Sequence, residues 1–238
     1  MNTTNGTRVL EASGVVKGFR GGDGNPIHVL DGVDLTVDRG EMVAVVGASG
    51  AGKSTFLHVL GALERPDAGE VRLGGESVAG ASDGALAELR NRSVGFVFQF
   101  HHLLKEFSAL ENVMMPLRIA GQPLGAARAR AALLLDRVGL TSRSSHRPSE
   151  LSGGEQQRVA VARALAAEAP LLLADEPSGN LDHANAERLH DLLAELTAEM
   201  RLGVVVVTHN RSLASRAQRV LLLEDGRLQP AAAAAGGV

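Results

Sequence analysis

A glycine-rich segment at residues 47–54 carries the most specific chemistry in this sequence. Its residue order, Gly-Ala-Ser-Gly-Ala-Gly-Lys-Ser, fits the pattern G-x-x-x-x-G-K-[ST] and directly follows the apolar run 42–46. Glycines allow the backbone to curl until successive N–H groups face one point, and the N-terminus of a following helix adds partial positive charge. Such a loop binds the phosphates of a nucleotide, with Lys53 on the β- and γ-phosphates and the Ser54 hydroxyl on Mg²⁺. We expect the following residues to contact the nucleotide: Gly47, Ala48, Ser49, Gly50, Ala51, Gly52, Lys53, Ser54 and Thr55.

Two acidic residues and a histidine follow two further apolar runs. Asp175 and Glu176 come directly after residues 171–174, and His209 comes shortly after residues 204–207. Because side chains alternate along a strand, Asp175 can face the Mg²⁺ shell while Glu176 faces a water aligned on the γ-phosphorus. A lone histidine is usually structural, but at this position His209 can hydrogen-bond the γ-phosphate or the attacking water. We therefore expect Glu176 and His209 to be catalytic.

Apolar runs and helical spacing predict the elements that position these groups. Strands buried on both faces are predicted at residues 42–46, 94–98, 171–174 and 204–207. The segments 159–166 and 189–196 place apolar residues at helical spacing. Strands that alternate with helices predict a parallel α/β sheet.

Four other segments have different patterns. Residues 33–37 alternate apolar and polar, as in a half-exposed antiparallel strand, and residues 220–228 predict a hairpin that turns at Asp225-Gly226. Residues 101–150 have helical patterns interrupted by prolines at 116, 123 and 148, and predict an inserted helical subdomain. We expect the alanine- and glycine-rich segment 229–238 to be a disordered tail.

Composition excludes several classes of function. The 238 residues contain no cysteine, which excludes a disulfide framework, a thiolate zinc site and a cysteine nucleophile. A net charge of -3 provides no overall basic surface, so we expect no nucleic-acid partner. Residues 1–7 lack the apolar stretch of a signal peptide, and no apolar run approaches the roughly 18 residues of a membrane-spanning helix. We expect a cytoplasmic protein whose membrane role requires a partner.

A second glycine motif opens the helical segment after residue 151. Ser152 and Glu155 have the spacing of a capping box. Glycine is costly in a first helical turn unless a ligand approaches the backbone closely, so Gly153 and Gly154 suggest a second anion site. If the loop at 47–54 already holds the nucleotide, the nucleotide of another subunit can occupy this second site.

Together these motifs resemble those of the ATP-binding cassette (ABC) ATPases, and the resemblance covers about residues 8–228. It implies an α/β fold: a P-loop, RecA-like core with an antiparallel β subdomain and an inserted helical subdomain at about 101–150. It also implies a head-to-tail dimer in which two ATP molecules lie between the phosphate loop of one subunit and Ser152, Gly153 and Gly154 of the other.

The resemblance assigns three more residues. Gln99, at the end of the run 94–98, matches the glutamine that touches Mg²⁺, so the implied metal ligands are Ser54, Gln99 and Asp175. Asp182 matches an aspartate that crosses the dimer interface. Phe19 lies where the family usually has a tyrosine that stacks on adenine.

Three further segments narrow the resemblance to one group within the family. Residues 98–104, 109–116 and 146–151 resemble the ATPases of lipoprotein-releasing systems. This resemblance implies a homodimer on the cytoplasmic face of the inner membrane, docked on permease subunits of the LolC/LolE type, in which ATP-driven closure extracts lipoproteins. An ATPase of a MacB-type exporter or of an FtsE-like cell-division complex shares the same chemistry and stays open. A soluble ABC protein of DNA repair or translation would need a second cassette, a long coiled-coil insertion or a basic face, which these 238 residues lack.

Overall fold

Two β-sheets and a set of helices form the part of the chain that the computed structural model describes, residues 8–20, 22 and 25–231. In chain order the strands are β1 (Arg8–Arg20), β2 (Pro26–Asp38), β3 (Met42–Val46), β4 (Ala68–Leu73), β5 (Glu76–Ser77), β6 (Val94–Phe98), β7 (Leu171–Asp175), β8 (Gly203–Val207), β9 (Arg219–Glu224) and β10 (Arg227–Pro230). The α-helices are α1 (Lys53–Leu60), α2 (Asp83–Ser93), α3 (Ala109–Ile119), α4 (Leu124–Arg137), α5 (Gly153–Ala164), α6 (His183–Met200) and α7 (Arg211–Ala214).

The larger sheet has the strand order β10-β9-β3-β8-β7-β6. Its strands from β9 to β6 are parallel, as the four apolar runs predict. Strand β8 is buried along its whole length, so Val204 and Val206 pack into one core while Val205 and Val207 pack into the core on the opposite face. The sheet is therefore covered on both sides, and the carboxyl ends of β3, β8, β7 and β6 lie along one edge.

The smaller sheet is antiparallel, with the order β2-β1-β4-β5. In β2, Val33, Leu35 and Val37 are buried while Asp34 and Thr36 are exposed, which confirms the predicted half-exposed strand. Since β2 packs toward the phosphate loop, this sheet contributes a wall to the site described below.

The predicted hairpin is present as β9 and β10. Asp225 and Gly226 at its turn have φ angles of 48° and 74°, the left-handed pair that a two-residue hairpin turn requires. Strand β10 ends at Pro230, so two residues assigned to the tail belong to the sheet. Residues 232–238 of that tail lie outside the described residues.

Helices α3 and α4 occupy the middle of the predicted helical segment, followed by short 3-10 turns at Thr141–Arg143 and Pro148–Glu150. The expectation that Pro116 breaks a helix is wrong, because it lies inside α3. Burial of Val113, Met114 and Leu117 holds the helix together across the proline, and the carbonyl of Pro116 still accepts a hydrogen bond from the Ala120 N–H at 3.0 Å. Among the described residues, none of the helices combines the length and the apolar composition that a bilayer span requires.

A buried amide orders the loop that precedes α3. Asn112 is 0% exposed, and its Oδ1 accepts a hydrogen bond from the Leu104 N–H at 2.8 Å. Its Nδ2 donates to the carbonyls of Leu104, Phe107 and Ser108 at 3.0–3.1 Å. The Leu104 and Ser108 carbonyls also accept from the backbone N–H groups of Phe107 and Asn112, so the Leu104 N–H and the Phe107 carbonyl are the groups that depend on this side chain.

We predict that Asn112→Ala lowers the free energy of unfolding by about 2–3 kcal/mol, because it leaves the part-buried Leu104 N–H and Phe107 carbonyl without this partner. Urea denaturation of the nucleotide-free protein measures the change. Gln122→Ala, which removes an exposed amide just after α3, is the matched control and should have little effect. Equal effects of the two substitutions would contradict this account of the loop.

Candidate functional site

A cavity of about 510 Å³ opens at the carboxyl edge of the larger sheet. Its lining combines the phosphate loop with the ends of β6, β7 and β8 and with residues from β1 and β2. The lining residues are Phe19, Val29, Ser49, Gly50, Gly52, Lys53, Ser54, Thr55, Gln99, Asp175, Glu176 and His209. Apart from Val29, each of them is a residue that we expect from the sequence to form the site.

The phosphate loop connects β3 to α1, in the strand-loop-helix context that its pattern requires. Gly52 has a φ of 92°, and a Cβ added there would lie 2.5 Å from Cγ1 of Val29, so glycine is needed for both its conformation and its close packing. Lys53 Nζ donates to the carbonyls of Gly47 and Ala48, each at 2.9 Å. The ammonium group is thus held over the loop, at the place where phosphate oxygens would bind.

Helix α1 presents free hydrogen-bond donors to this cavity. Its N-cap is Gly52, which has no side chain to accept from the first turn, and the first turn contains no acidic residue. In contrast, α3 and α5 begin with complete capping boxes, Ser108 with Glu111 and Ser152 with Glu155. The N–H groups at the start of α1 and its partial positive charge are therefore available to an anion in the cavity.

Glu176 follows β7 in a strained backbone conformation. Its φ of 44° is unusual for a residue with a side chain. The Glu176 N–H donates to the carbonyl of Val207 at 2.9 Å, and its own carbonyl accepts from the Gly179 N–H at 2.9 Å. Neighbouring segments hold this conformation, and strain of this kind is concentrated at functional sites.

The carboxylate of Glu176 is paired with His209. Nδ1 of His209 lies 2.8 Å from Oε1, the His209 N–H donates to the same oxygen at 3.0 Å, and the Thr208 hydroxyl donates to Oε2 at 3.2 Å. The Glu176 side chain is 16% exposed, whereas that of His209 is 75% exposed. When Nδ1 of His209 donates its proton in a hydrogen bond to the carboxylate, Nε2 remains available to a ligand in the cavity. The sequence predicts both residues but not their contact.

Three oxygen-bearing side chains in the cavity fit a hard cation: Ser54, Gln99 and Asp175. Gln99 Nε2 donates to Asn180 Oδ1 at 2.9 Å, and Asn180 Nδ2 donates back to the Gln99 carbonyl at 3.1 Å. The amide nitrogen of Gln99 is therefore engaged, and its Oε1 is the atom suited to a metal. Hydroxyl, amide and carboxylate oxygens are the donors that Mg²⁺ prefers.

The second glycine motif does not line the cavity. Ser152 Oγ accepts from the Glu155 N–H at 3.3 Å, and Glu155 Oε2 accepts from the Ser152 N–H at 2.8 Å, so the predicted capping box is present. Hydrogen bonds from the Ser152 N–H and hydroxyl to the carboxylate lower the pKa of Glu155. A Cβ on Gly154 would lie 2.8 Å from Oδ1 of Asn185. Packing within the subunit therefore requires Gly154, which corrects our argument that only a ligand explains it; at Gly153 the nearest atom is 3.8 Å away.

Asp182 also lies outside the cavity lining. It is the N-cap of α6, with Oδ1 accepting from the Asn185 N–H at 2.9 Å and Oδ2 accepting from Asn185 Nδ2 at 2.6 Å. The hydrogen bond from the Asn185 N–H holds the pKa of Asp182 below its usual value. Within one subunit, Asp182 thus has a capping role and no contact with the nucleotide cavity.

Phe19 lies in the cavity wall and is 42% exposed. Lys17 Nζ lies 5.2 Å from the centre of its ring, a cation–π distance, and donates to the Arg65 carbonyl at 2.9 Å. The aromatic ring is thus supported by a lysine that is itself anchored. Sequence reasoning missed this lysine, and it missed Val29 and Thr208 as well; only the position of Thr208 beside His209 gave a usable signal.

Comparisons with known proteins identify the family of this chain. Residues 30–179 match the family model described as ABC transporter. The lipoprotein-releasing system ATP-binding protein LolD of Geobacter metallireducens is 54% identical over 220 residues, which cover 92% of this chain and 97% of that protein. LolD of Xanthomonas campestris is 56% identical over 207 residues, 87% of each chain.

A solved structure gives the same result. A dimeric ATP-binding cassette in a post-hydrolysis state, bound to ADP and Pi, superposes with a TM-score of 0.84 at 38% identity, covering 92% of this chain and 96% of that one. The family match, the relatives and the shared fold show that this chain belongs to the ABC transporter family, as a nucleotide-binding, ATP-hydrolysing cassette.

Proposed function

We propose that this chain is the ATPase subunit of a lipoprotein-releasing complex and that ATP hydrolysis in the 510 Å³ cavity drives release of lipoproteins from the inner membrane toward the outer membrane. The observation that carries the proposal is that one cavity combines the phosphate loop with the Glu176–His209 pair. The names of the relatives, which align with most of this chain, support the lipoprotein-release role.

Each side chain of the cavity has a role in hydrolysis that follows from its geometry. Lys53 would exchange its two loop carbonyls for β- and γ-phosphate oxygens, which are better partners because they are charged. Glu176 is the general base for the attacking water, since the bonds from His209 and Thr208 orient its carboxylate. His209 Nε2 contacts the γ-phosphate or that water. Phe19 stacks on the adenine.

We assign the metal site to Ser54, Gln99 and Asp175, whose oxygens share the cavity. A bound Mg²⁺ would neutralise charge on the β- and γ-phosphate oxygens. The hydrogen bond between Gln99 Nε2 and Asn180 links this site to the segment that leads to Asp182. Binding of a metal at Gln99 can therefore change the position of that segment.

The functional unit is a homodimer. Ser152, Gly153 and Gly154 lie outside the cavity of their own subunit, and among the described residues a Cβ on Gly153 would meet only Leu181, at 3.8 Å, so packing within the subunit does not require a glycine there. This supports a role for the three residues in binding the partner's nucleotide. Asp182 contacts the other subunit at the interface. Several large apolar side chains of the segment 100–119 are exposed, among them Phe100 at 64% and Ile119 at 73%, and provide a surface for LolC/LolE-type permease subunits. The dimer thus works as a peripheral protein on the cytoplasmic face of the inner membrane.

We predict that Lys53→Ala weakens ATP binding by about 10- to 100-fold, because it removes a charged donor to the phosphates. Titration of the purified protein with a fluorescent ATP analogue measures the affinity. Lys105→Ala, which removes an exposed lysine outside the cavity, should leave the affinity unchanged. Normal ATP affinity of Lys53→Ala would refute the role of the loop.

We predict that Glu176→Gln retains ATP binding but lowers kcat by about 10²- to 10⁴-fold, the usual loss of a general base. Phosphate release gives kcat, and size-exclusion chromatography with ATP should reveal an accumulated dimer. Glu195→Gln, an exposed substitution on α6, is the control. Unchanged turnover of Glu176→Gln would exclude Glu176 as the base.

We predict that tagged Glu176→Gln protein, incubated with ATP and solubilised membranes, recovers a LolC/LolE-type pair of permease subunits. The Lys53→Ala protein should recover less, because it does not close on ATP. Recovery of an FtsX-like or MacB-like subunit instead would preserve the ATPase chemistry and replace the lipoprotein-release role, and recovery of ribosomes or DNA would support a soluble ABC protein.

A further inference from the structure

A buried polar pair lies behind the segment that carries Glu176. Ser178 follows Glu176 by two residues and is 6% exposed, and His190 on α6 is 0% exposed. The Ser178 Oγ lies 2.8 Å from Nε2 of His190. On the other side of the imidazole, Oε1 of Glu187 lies 3.4 Å from Nδ1. None of these three residues lines the nucleotide cavity.

The surroundings of the imidazole set the direction of this hydrogen bond. Burial lowers the pKa of His190, so the ring is neutral at neutral pH. Nδ1 makes no hydrogen bond within the described part of the chain, but the negative charge of Glu187 at 3.4 Å favours the proton on that nitrogen, and Nε2 then accepts from the Ser178 hydroxyl. A serine, a histidine and a glutamate in this order also occur in hydrolases, but here the serine is buried and does not line the nucleotide cavity. The arrangement therefore holds Ser178 in place.

The same group of side chains reaches the segment that carries His209. Arg216 Nη2 donates to Glu187 Oε2 at 2.8 Å and to Asp191 Oδ1 at 2.7 Å, and Nη1 donates to Ser212 Oγ on α7 at 2.7 Å. Hydrogen bonds from Ser212 and Arg216 lower the pKa of Glu187 to about 2, so its carboxylate stays ionised. Helix α6 is thus the common support of the two segments that follow β7 and β8.

The backbone connects this support to the reacting groups. Ser178 lies within the turn closed by the hydrogen bond from the Gly179 N–H to the Glu176 carbonyl, and that turn holds Glu176 at its positive φ. Movement of Ser178 would relax the turn and shift the Glu176 carboxylate relative to His209. A shift of this size matters, because general-base catalysis depends on the distance to the water.

We propose that His190 is a positioning residue for ATP hydrolysis: by binding Ser178, and through Glu187 and Arg216 the start of α7, it keeps Glu176 and His209 aligned. The inference rests on the catalytic roles proposed above for Glu176 and His209. His190 does not touch the nucleotide, so its loss should change turnover rather than ATP binding.

His190→Leu tests the inference by replacing the imidazole with an apolar side chain. We expect kcat to fall by about tenfold while the KM for ATP changes by less than about twofold, since alignment of the base and not substrate binding is lost. His190→Gln can place an amide oxygen near the former Nε2 position and accept from Ser178, so it should recover most of kcat. A kcat of His190→Leu equal to that of the unmodified protein would overturn the proposal, and so would a folded His190→Gln as slow as His190→Leu.

Two further variants separate positioning from general loss of stability. Ser178→Ala should lower kcat as His190→Leu does. The double variant should be no slower than the slower single variant, because each substitution removes the same contact between Ser178 and His190. Thr197→Val removes another buried hydrogen-bonding side chain of α6, bonded only within its helix to the Leu193 carbonyl, and should lower Tm without lowering kcat. Additive losses in the double variant, or an equal kcat loss in Thr197→Val, would contradict the inference.

Glu176→Gln measured in parallel distinguishes this inference from the proposed function. If Glu176→Gln stalls while His190→Leu keeps full kcat, only the role of His190 fails. If Glu176→Gln itself turns over normally, the assignment of the base fails. Should His190→Leu not fold, Ser178→Ala decides, and a normal kcat in that variant overturns the inference.

Discussion

The parallel pairing of β3, β8 and β7 is the constraint on which the site depends. Val45 pairs with Val207, and Val207 pairs with Asp175, so the three strands end at the same level. The phosphate loop, His209 and Glu176 follow directly from those ends. Both faces of the sheet are buried, and a shift of one residue would turn core-facing side chains to the wrong core, which makes this register strongly preferred.

Two charged groups of the cavity, on Lys53 and Glu176, have partners within the chain. The ammonium of Lys53 is held by two loop carbonyls, and the carboxylate of Glu176 is held by His209 and Thr208. Lys53 and Glu176 therefore do not need to form an ion pair with each other. Groups that are already oriented cost little reorganisation when the reaction occurs, which favours catalysis by electrostatic preorganisation.

Helix termini in this protein differ in a way that matches their surroundings. The starts of α3 and α5 are closed by capping boxes, whereas α1 starts at a glycine and leaves its donors to the cavity. Since an unpartnered helix start is a cost in a free protein, α1 gives up local stability for ligand binding. The start of α5 is capped by Ser152 and Glu155, and its Gly153 is less tightly packed than Gly154.

Local features of the sequence determined much of the fold and most of the members of the site. The loop at 47–54, the apolar strands, the hairpin turn at Asp225-Gly226 and the capping box of Ser152 each depend on residues close in the chain, and a short pattern is enough to specify them.

Only the tertiary structure decided which distant side chains meet. Glu176 and His209 are 33 residues apart, Gln99 and Asn180 are 81 apart, and Gly154 is required by the packing of Asn185 on another helix. The support of Ser178 by His190 belongs to the same class. Hydrophobic periodicity predicts the elements, but it does not contain the order of strands in the sheet or the side-chain packing between helices. Those contacts depend on how the whole chain packs its core, and local sequence patterns do not predict that packing.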